Sequence, residues 1–570
     1  MEVFTKIEEN LEKIYGKKKG KKASEIIINK LKNIESSKQN NNKKYFDESD
    51  IFLITYGDNL EMGIEEKPPL HYLKKFSDNY LKEIISSIHI LPFFPYSSDD
   101  GFSIIDYYQV DPDVGNWENI DNLNENFNLM FDFVCNHISA ESEWFEDYLS
   151  GIEEFKNLAI EVDPEVNLSE VVRPRAKPLL TKFEKDNGKE VFVWTTFSPD
   201  QIDLNYKSLD ILEKMIDVFI FYIKQGASTI RLDAIAYLWK KIGTKCIHLP
   251  EVHYFVKILR LIIEYLCNKG IIITETNVPH QENISYFGNG KNEAQMVYNF
   301  TLPPLILYSF LKNDVSVLNS WAKKLKTPSV TTTFFNFTAS HDGIGVRPLE
   351  GIIPEKEMEL LINHVKKNNG YISYKSNKDG TKTPYELNIT YVDAMKMQNE
   401  KRSSIQINRF LASQAIPLVI PGVPAIYIHS LIGSRNWNKG VKKYDEKRKI
   451  NREKLNYKEL IKELETKESF RNKIFIKYKR MLKIRKNEKA FHPNGSFKIF
   501  DINNKIFCVK RKYKNDEILS LINISDKEIK INIDHILGEN IFRDLLTDIL
   551  YEEDININPF QILWLKKIVK

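Results

Sequence analysis

Short apolar runs that end on ionisable side chains constrain this chain more than any other feature. Strand-like segments stand at 51–56 (IFLITY), 88–94 (IHILPFF), 129–134 (LMFDFV), 229–233 (TIRLD), 271–275 (IIITE), 332–338 (TTFFNFT) and 418–428 (LVIPGVPAIYI). Between them lie stretches of helical spacing, as at 208–225. Apolar strands alternating with amphipathic helices argue for a parallel sheet. Some seven or eight such strands over about 400 residues favour an α/β fold closed as a (β/α)8 TIM barrel. The chain has 570 residues, 42% of them hydrophobic, which suits a barrel with insertions and an appended domain.

The organisation read from the sequence has four parts. Residues 1–46 form an N-terminal helical extension, suited either to a dimer contact or to covering the lower end of the barrel. Residues 47–137 and 206–489 form the catalytic barrel, and 138–205, rich in prolines and charges, form an inserted B domain after the third strand. Residues 490–570 carry short, evenly spaced β segments and read as a small antiparallel β domain. The lysine run at 17–22 and the asparagine-rich run at 40–44 read as solvated sequence and coding bias.

Charge is nearly balanced, at +4 overall, and gives no argument for a nucleic-acid partner. No apolar run approaches the roughly 20 residues of a membrane span. The N-terminus has acidic residues and no apolar leader, so a cytoplasmic protein is expected. The four cysteines, Cys135, Cys246, Cys267 and Cys508, have no metal-binding spacing and read as free thiols.

Chemistry in such a barrel sits where the strands end. Here the ends carry Asp132, Asn136 and His137, then Arg231 and Asp233, then Glu275, then His341 and Asp342, while the second strand leads into Asp99-Asp100-Gly101-Phe102. One such carboxylate is as readily a helix cap as a catalyst. Several together, with Arg and His among them, can be tuned apart, one ionised and one protonated. Glycosyl transfer needs that split, since one carboxylate attacks the anomeric carbon while another acid protonates the departing oxygen.

The segments Asp132–His137, Arg231–Asp233, Glu275 and His341–Asp342 resemble the four signature regions of the α-amylase superfamily of glycoside hydrolases. The resemblance implies a retaining double displacement with Asp233 as nucleophile, Glu275 as acid/base and Asp342 as transition-state stabiliser. Arg231, two residues from Asp233 on the same strand face, would keep it ionised, and Glu275 would have a raised pKa. The resemblance extends through HILPFFPYSSDDGFSIID (89–106), RPRAKP (173–178), VWTTFSPDQIDLN (193–205), HDGIGV (341–346), PGVPAIY (421–427) and INR (450–452) to the sucrose phosphorylase subgroup. It implies Asp100, His137, Arg231, His341 and Arg452 around the glucosyl hydroxyls, with Phe102 and Phe197 as aromatic walls. Its members are often monomers or homodimers, and the chemistry requires no cofactor and no metal.

Phosphorolysis replaces water by inorganic phosphate, which guanidinium groups and backbone donors meet best. Arg173, Arg175, Tyr237 and Gln201 are the candidates, with a solvated surface role as the alternative for the arginine pair. Asn277 stands where the sucrose-acting enzymes have a histidine that contacts fructose. This departure, the loops 373–394 and 429–437 and the N-terminal helices make the chain resemble glucosylglycerate phosphorylases. The resemblance implies conversion of 2-O-α-D-glucosyl-D-glycerate and phosphate to α-D-glucose 1-phosphate and D-glycerate. Ser434, Arg435, Asn436 and Arg347 would then face the glycerate carboxylate and hydroxyls, or else serve as surface groups. Sucrose or sucrose 6-phosphate phosphorylase is the alternative, and an amylase- or glucosidase-type hydrolase a more distant one.

Overall fold

The computed structural model describes residues 2–34, 45–62, 67–175, 177–377, 381–398, 400, 403–538, 540–552 and 554–568. The asparagine run at 40–44 and Ala176 lie outside these residues. Eight strands close a parallel barrel: Phe52–Thr55, Ser87–Ile90, Asn128–Phe133, Ala227–Leu232, Ile271–Thr274, Met296–Tyr298, Thr333–Asn336 and Val423–Tyr427. The first strand pairs with the second and the eighth, so no edge is left open. Because all pairs are parallel, all strand C-termini open on one face.

Two details differ from the sequence reading. The sixth strand, Met296–Tyr298, is only three residues long and was not read, because so short a run has no distinguishing period. The segment 418–428 divides: Leu418 and Val419 end the buried helix Ser403–Val419, and the strand starts at Val423. Continuous burial removes the polar face that separates helix from strand in sequence.

Between the third and fourth strands the chain makes an antiparallel pair, His137–Ser139 with Gln201–Asp203, and a hairpin, Leu180–Glu184 with Glu190–Trp194. Val162, Val171, Leu179 and Trp194 give this insertion a small core of its own, together with Cys246. The first pair hangs His137 and Gln201 over the mouth of the barrel. The N-terminal helices Glu2–Tyr15 and Lys17–Lys32 pack on the barrel helices Leu209–Lys224 and Pro250–Leu266. Lys30 bridges Glu213 and Asp217 at 2.8 Å each, and the Tyr15 hydroxyl donates to Tyr206 O. Among the described residues no helix is long and apolar enough to cross a membrane.

In the C-terminal sheet the two-residue alternation of a strand sends successive side chains into two different cores. In the strand Ile506–Tyr513, Phe507 and Val509 join the main core, while Ile506 and Cys508 join a separate core inside the C-terminal domain. Two buried arginines clamp this domain to the barrel. Arg485 donates to Glu48 O, Leu418 O, Gly422 O and Phe491 O, and Arg511 to Val419 O and His492 O. Both meet carbonyls at the C-terminal end of helix Ser403–Val419, where the helix leaves its last acceptors unpaired and its dipole favours cations. Arg485→Met strands several buried carbonyls, and is expected to cost about 3 kcal/mol of stability in urea unfolding. A loss below about 0.5 kcal/mol would show that water replaces the guanidinium.

Candidate active site

The catalytic candidates meet at the strand C-termini because the parallel register aligns them. Asp132 on the third strand is level with Arg231 on the fourth, and Arg231 with Ile273 on the fifth. One residue past the fourth and fifth strands stand Asp233 and Glu275, whose amides continue the ladder to Phe133 O and Leu232 O. After Asp233 the chain turns sharply, with Ala234 in the left-handed region at φ 48°. That turn aims the Ala234 amide at Glu275 Oε2, 3.1 Å away.

Arg231 is 2% exposed and is the hub of the charges. Its Nη1 hydrogen-bonds Asp132 and, at 2.8 Å, Asp233 Oδ1, while its Nη2 lies 4.0 Å from Glu275 Oε2. Its guanidinium sits 5.5 Å from the ring centres of Phe102 and Tyr298. Phe102 stacks in turn on His341 at 4.8 Å.

Burial pushes both Asp233 and Glu275 upward against the pull of Arg231, with the Glu275 charge adding to the rise at Asp233 and the Asp342 charge to that at Glu275. Arg231 offsets the rise at Asp233 only in part. Such a pair shares one proton near neutral pH. The Arg231 hydrogen bond to Asp233, against 4.0 Å to Glu275, favours the proton on Glu275. Asp342 goes the other way: burial would raise it, but Arg448 at 2.7 Å and Arg452 hold it well below the usual range. Burial lowers His341 to about 3, so this imidazole is neutral.

One cavity is lined by Asp233, Glu275 and Asp342 together with Phe102, His137, Phe197, Arg231, His341, Arg175, Gln201, Tyr237 and Asn277. His137 Nε2 donates to Phe102 O at 2.7 Å, and Gln201 Nε2 to the same carbonyl at 3.0 Å. Behind them the buried Lys240 bridges Asp203 at 2.5 Å and Asn136 at 2.7 Å, tying the insertion to the third strand's end. The Asn277 Oδ1 is buried without a hydrogen-bond partner. Asn277 packs on Gly345, where a Cβ would come within 2.5 Å of its side-chain nitrogen, so a larger residue there would displace it.

The remaining expected residues lie elsewhere. Asp100 and Arg452 pair with each other at 2.7 Å and line a neighbouring pocket with Lys449 and Tyr56. Asp99 takes the expected place of Asp100 in the catalytic cavity, because both residues turn through left-handed backbone, at φ 54° and 51°. Arg173 and Arg347 line a second cavity. Ser434, Arg435 and Asn436 do not line the catalytic cavity. Ser434 is hydrogen-bonded to His429 and Arg471, Arg435 is paired with Asp393, and Asn436 is bonded to Thr390 and Asn368. Their polar groups bond to neighbouring loops.

Four ionisable lining residues were not among the expected site residues: Asp99, Tyr385, Glu386 and Arg448. Arg448 bonds Asp342 at 2.7 Å and Glu386 at 2.5 Å, and lies 3.8 Å from Asp99. Arg175 closes the other side of Asp99 at 2.7 Å. Asp99 was legible as the neighbour of Asp100, and Arg448 as the arginine four residues before that of the INR motif. Glu386 and Tyr385 come from the hairpin Tyr371–Ser376 with Lys382–Asn388, in a segment read only as a loop.

Residues 63–347 match the family described as alpha amylase, catalytic domain. The chain is 43% identical to the glucosylglycerate phosphorylase of Escherichia coli (strain K12) over 98% of this chain and all of that one. It is 44% identical to the glucosylglycerate phosphorylase of Spirochaeta thermophila over 99% of each. The crystal structure of sucrose 6F-phosphate phosphorylase from Thermoanaerobacter thermosaccharolyticum superposes with a TM-score of 0.73 at 26% identity, over 84% of this chain and 94% of that one. With a barrel whose strand ends assemble these carboxylates, and with such identity along nearly its whole length, the chain belongs to the glucosylglycerate phosphorylase family within the α-amylase proteins.

Proposed function

We propose that the chain is a retaining phosphorylase that converts 2-O-α-D-glucosyl-D-glycerate and inorganic phosphate to α-D-glucose 1-phosphate and D-glycerate. The observation that carries this reading is the identity of over 40% to glucosylglycerate phosphorylases along nearly the entire chain. The division of charge within the cavity supports it. Asp233 accepts from Arg231 and has the free carboxylate needed for attack on C1. Glu275, kept protonated by burial, gives its proton to the glycerate oxygen as the C1–O bond breaks. A β-glucosyl ester on Asp233 results. Hydrogen phosphate then attacks C1, the ester bond breaks, and Glu275 takes the phosphate proton, so the product keeps the α configuration.

Asp342, ionised against Arg448, faces the positive charge that develops on the sugar ring. His137 and His341 are neutral and bind hydroxyls without adding charge. Arg175 is the arginine of the cavity with greater freedom to meet phosphate, since its pairing with Asp99 is part-exposed and monodentate. Asn277 Oδ1, with no partner of its own, accepts from an acceptor hydroxyl.

Three outcomes are expected. With α-D-glucose 1-phosphate and a panel of D-glycerate, fructose, fructose 6-phosphate and glycerol, phosphate is released fastest with D-glycerate; no release with D-glycerate contradicts the reading. Glu275→Gln lowers kcat/KM for phosphorolysis about a thousandfold. It slows enzyme glucosylation by α-glucosyl fluoride far less, because fluoride departs without a proton; equal losses with both donors contradict the acid role. Activity on the alkaline side falls as the Asp233–Glu275 pair loses its proton, and on the acid side as the pair gains a second and the Asp233 carboxylate is neutralised. Arg448→Leu removes the cation that holds Asp342 low, so the acid limb of kcat/KM moves to higher pH. An unmoved limb shows that Arg448 does not set the ionisation of Asp342.

A further inference from the structure

Beside the catalytic cavity lies a second one of about 670 Å³, lined by Arg173, Arg347, Lys375, Asn377 and Glu170 among others. Pro174 and Tyr385 line both cavities, so one layer of side chains separates them. Three different segments bring the cations: Arg173 from the insertion, Arg347 from the turn Arg347–Leu349, and Lys375 from the strand Tyr371–Ser376. Their neutralisation is incomplete. Arg347 and Lys375 share one half-exposed carboxylate, Glu350, at 3.8 and 3.6 Å. Arg347 Nε is buried and has no hydrogen-bond partner. A folded chain rarely leaves a buried guanidinium donor unmet, and bringing two cations onto one acid opposes folding unless an anion completes the set. Burial and the neighbouring Arg347 both lower the Lys375 pKa, as expected for a cation short of partners.

We propose that this cavity is a second site for a small oxyanion, phosphate or the carboxylate of the acceptor, held next to the catalytic pocket behind Tyr385. Arg347 and Lys375 supply the charge-assisted donors, with Arg173 at the edge formed by the insertion. Which of the reaction's two anions uses the site rests on the function proposed above; that it binds an oxyanion does not. Inorganic phosphate near neutral pH is a mixture of the singly and doubly charged anions, and D-glycerate is singly charged, so a site of three cations and few acids attracts both.

Titration calorimetry of the full-length protein with inorganic phosphate, and separately with D-glycerate, tests the site without turnover. Lys375→Met and Arg347→Met are each expected to weaken binding of at least one anion about tenfold, the loss of one charge-assisted hydrogen bond. Lys375→Arg, which keeps the charge, restores it. Loss for phosphate alone assigns the site to phosphate, loss for D-glycerate alone assigns it to the carboxylate, and loss for both makes it shared. Thermal melting beside each titration checks that the variants are folded. Isotherms unchanged for both anions in both Met variants overturn the proposal. A wild-type protein that binds these anions yet transfers no glucose to D-glycerate would reject the proposed function and leave this site standing.

Discussion

The whole site depends on one buried guanidinium. Arg231 lies inside the barrel, where an unpaired charge would cost several kcal/mol, and it is tolerable only because Asp132 and Asp233 meet it directly. Asp132 is itself fixed by His89 at 2.6 Å, from the second strand. Three neighbouring strands are thus pinned in register by one ion cluster, and the same register sets the height at which Asp233 and Glu275 emerge. The aromatic faces of Phe102 and Tyr298 complete the cage around the cation. Stability and chemistry use the same charge here, so the site cannot be loosened without loosening the barrel mouth.

A second guanidinium, Arg448, divides the acids. Arg231 sits between Asp233 and Glu275, where burial drives both toward protonation and geometry decides which one carries the proton. Arg448 sits on Asp342 and holds it ionised. The carboxylates of one cavity are thereby driven apart in their affinity for protons. The cross-links Arg448–Glu386 and Arg175–Asp99 connect the catalytic floor to the hairpin at 371–388 and to the insertion. These are the segments that also wall the second cavity, so the donor side and the anion side of the molecule share their supports.

What was legible in the sequence follows from what is local. Strand ends are fixed by an apolar period and by the step of one residue beyond it, so Asp233 and Glu275 could be read; Arg231 lies within its strand, His341 and Asp342 stand farther past theirs and were carried by the resemblance, and all of them share one cavity. Turns with left-handed residues break that arithmetic. Asp99 and Asp100 are adjacent in sequence, yet their backbone sends one into the cavity and the other toward Lys449 and Arg452. Loop residues depend on partners tens of positions away. Nothing near Arg435 in sequence announces Asp393, and nothing near Arg448 announces Glu386. Ser434, Arg435 and Asn436, on such a loop, bond to neighbouring loops and do not line the catalytic cavity.

The central claim is that Asp233 alone forms the covalent link to glucose. A 5-fluoro-α-glucosyl fluoride, which forms the ester readily and releases it slowly, allows that link to be trapped and located by peptide mass spectrometry. The account expects one fluoroglucosyl adduct per chain, on the peptide that carries Asp233, and none in Asp233→Asn. An adduct on Glu275 or Asp342, or steady turnover by Asp233→Asn, would contradict it.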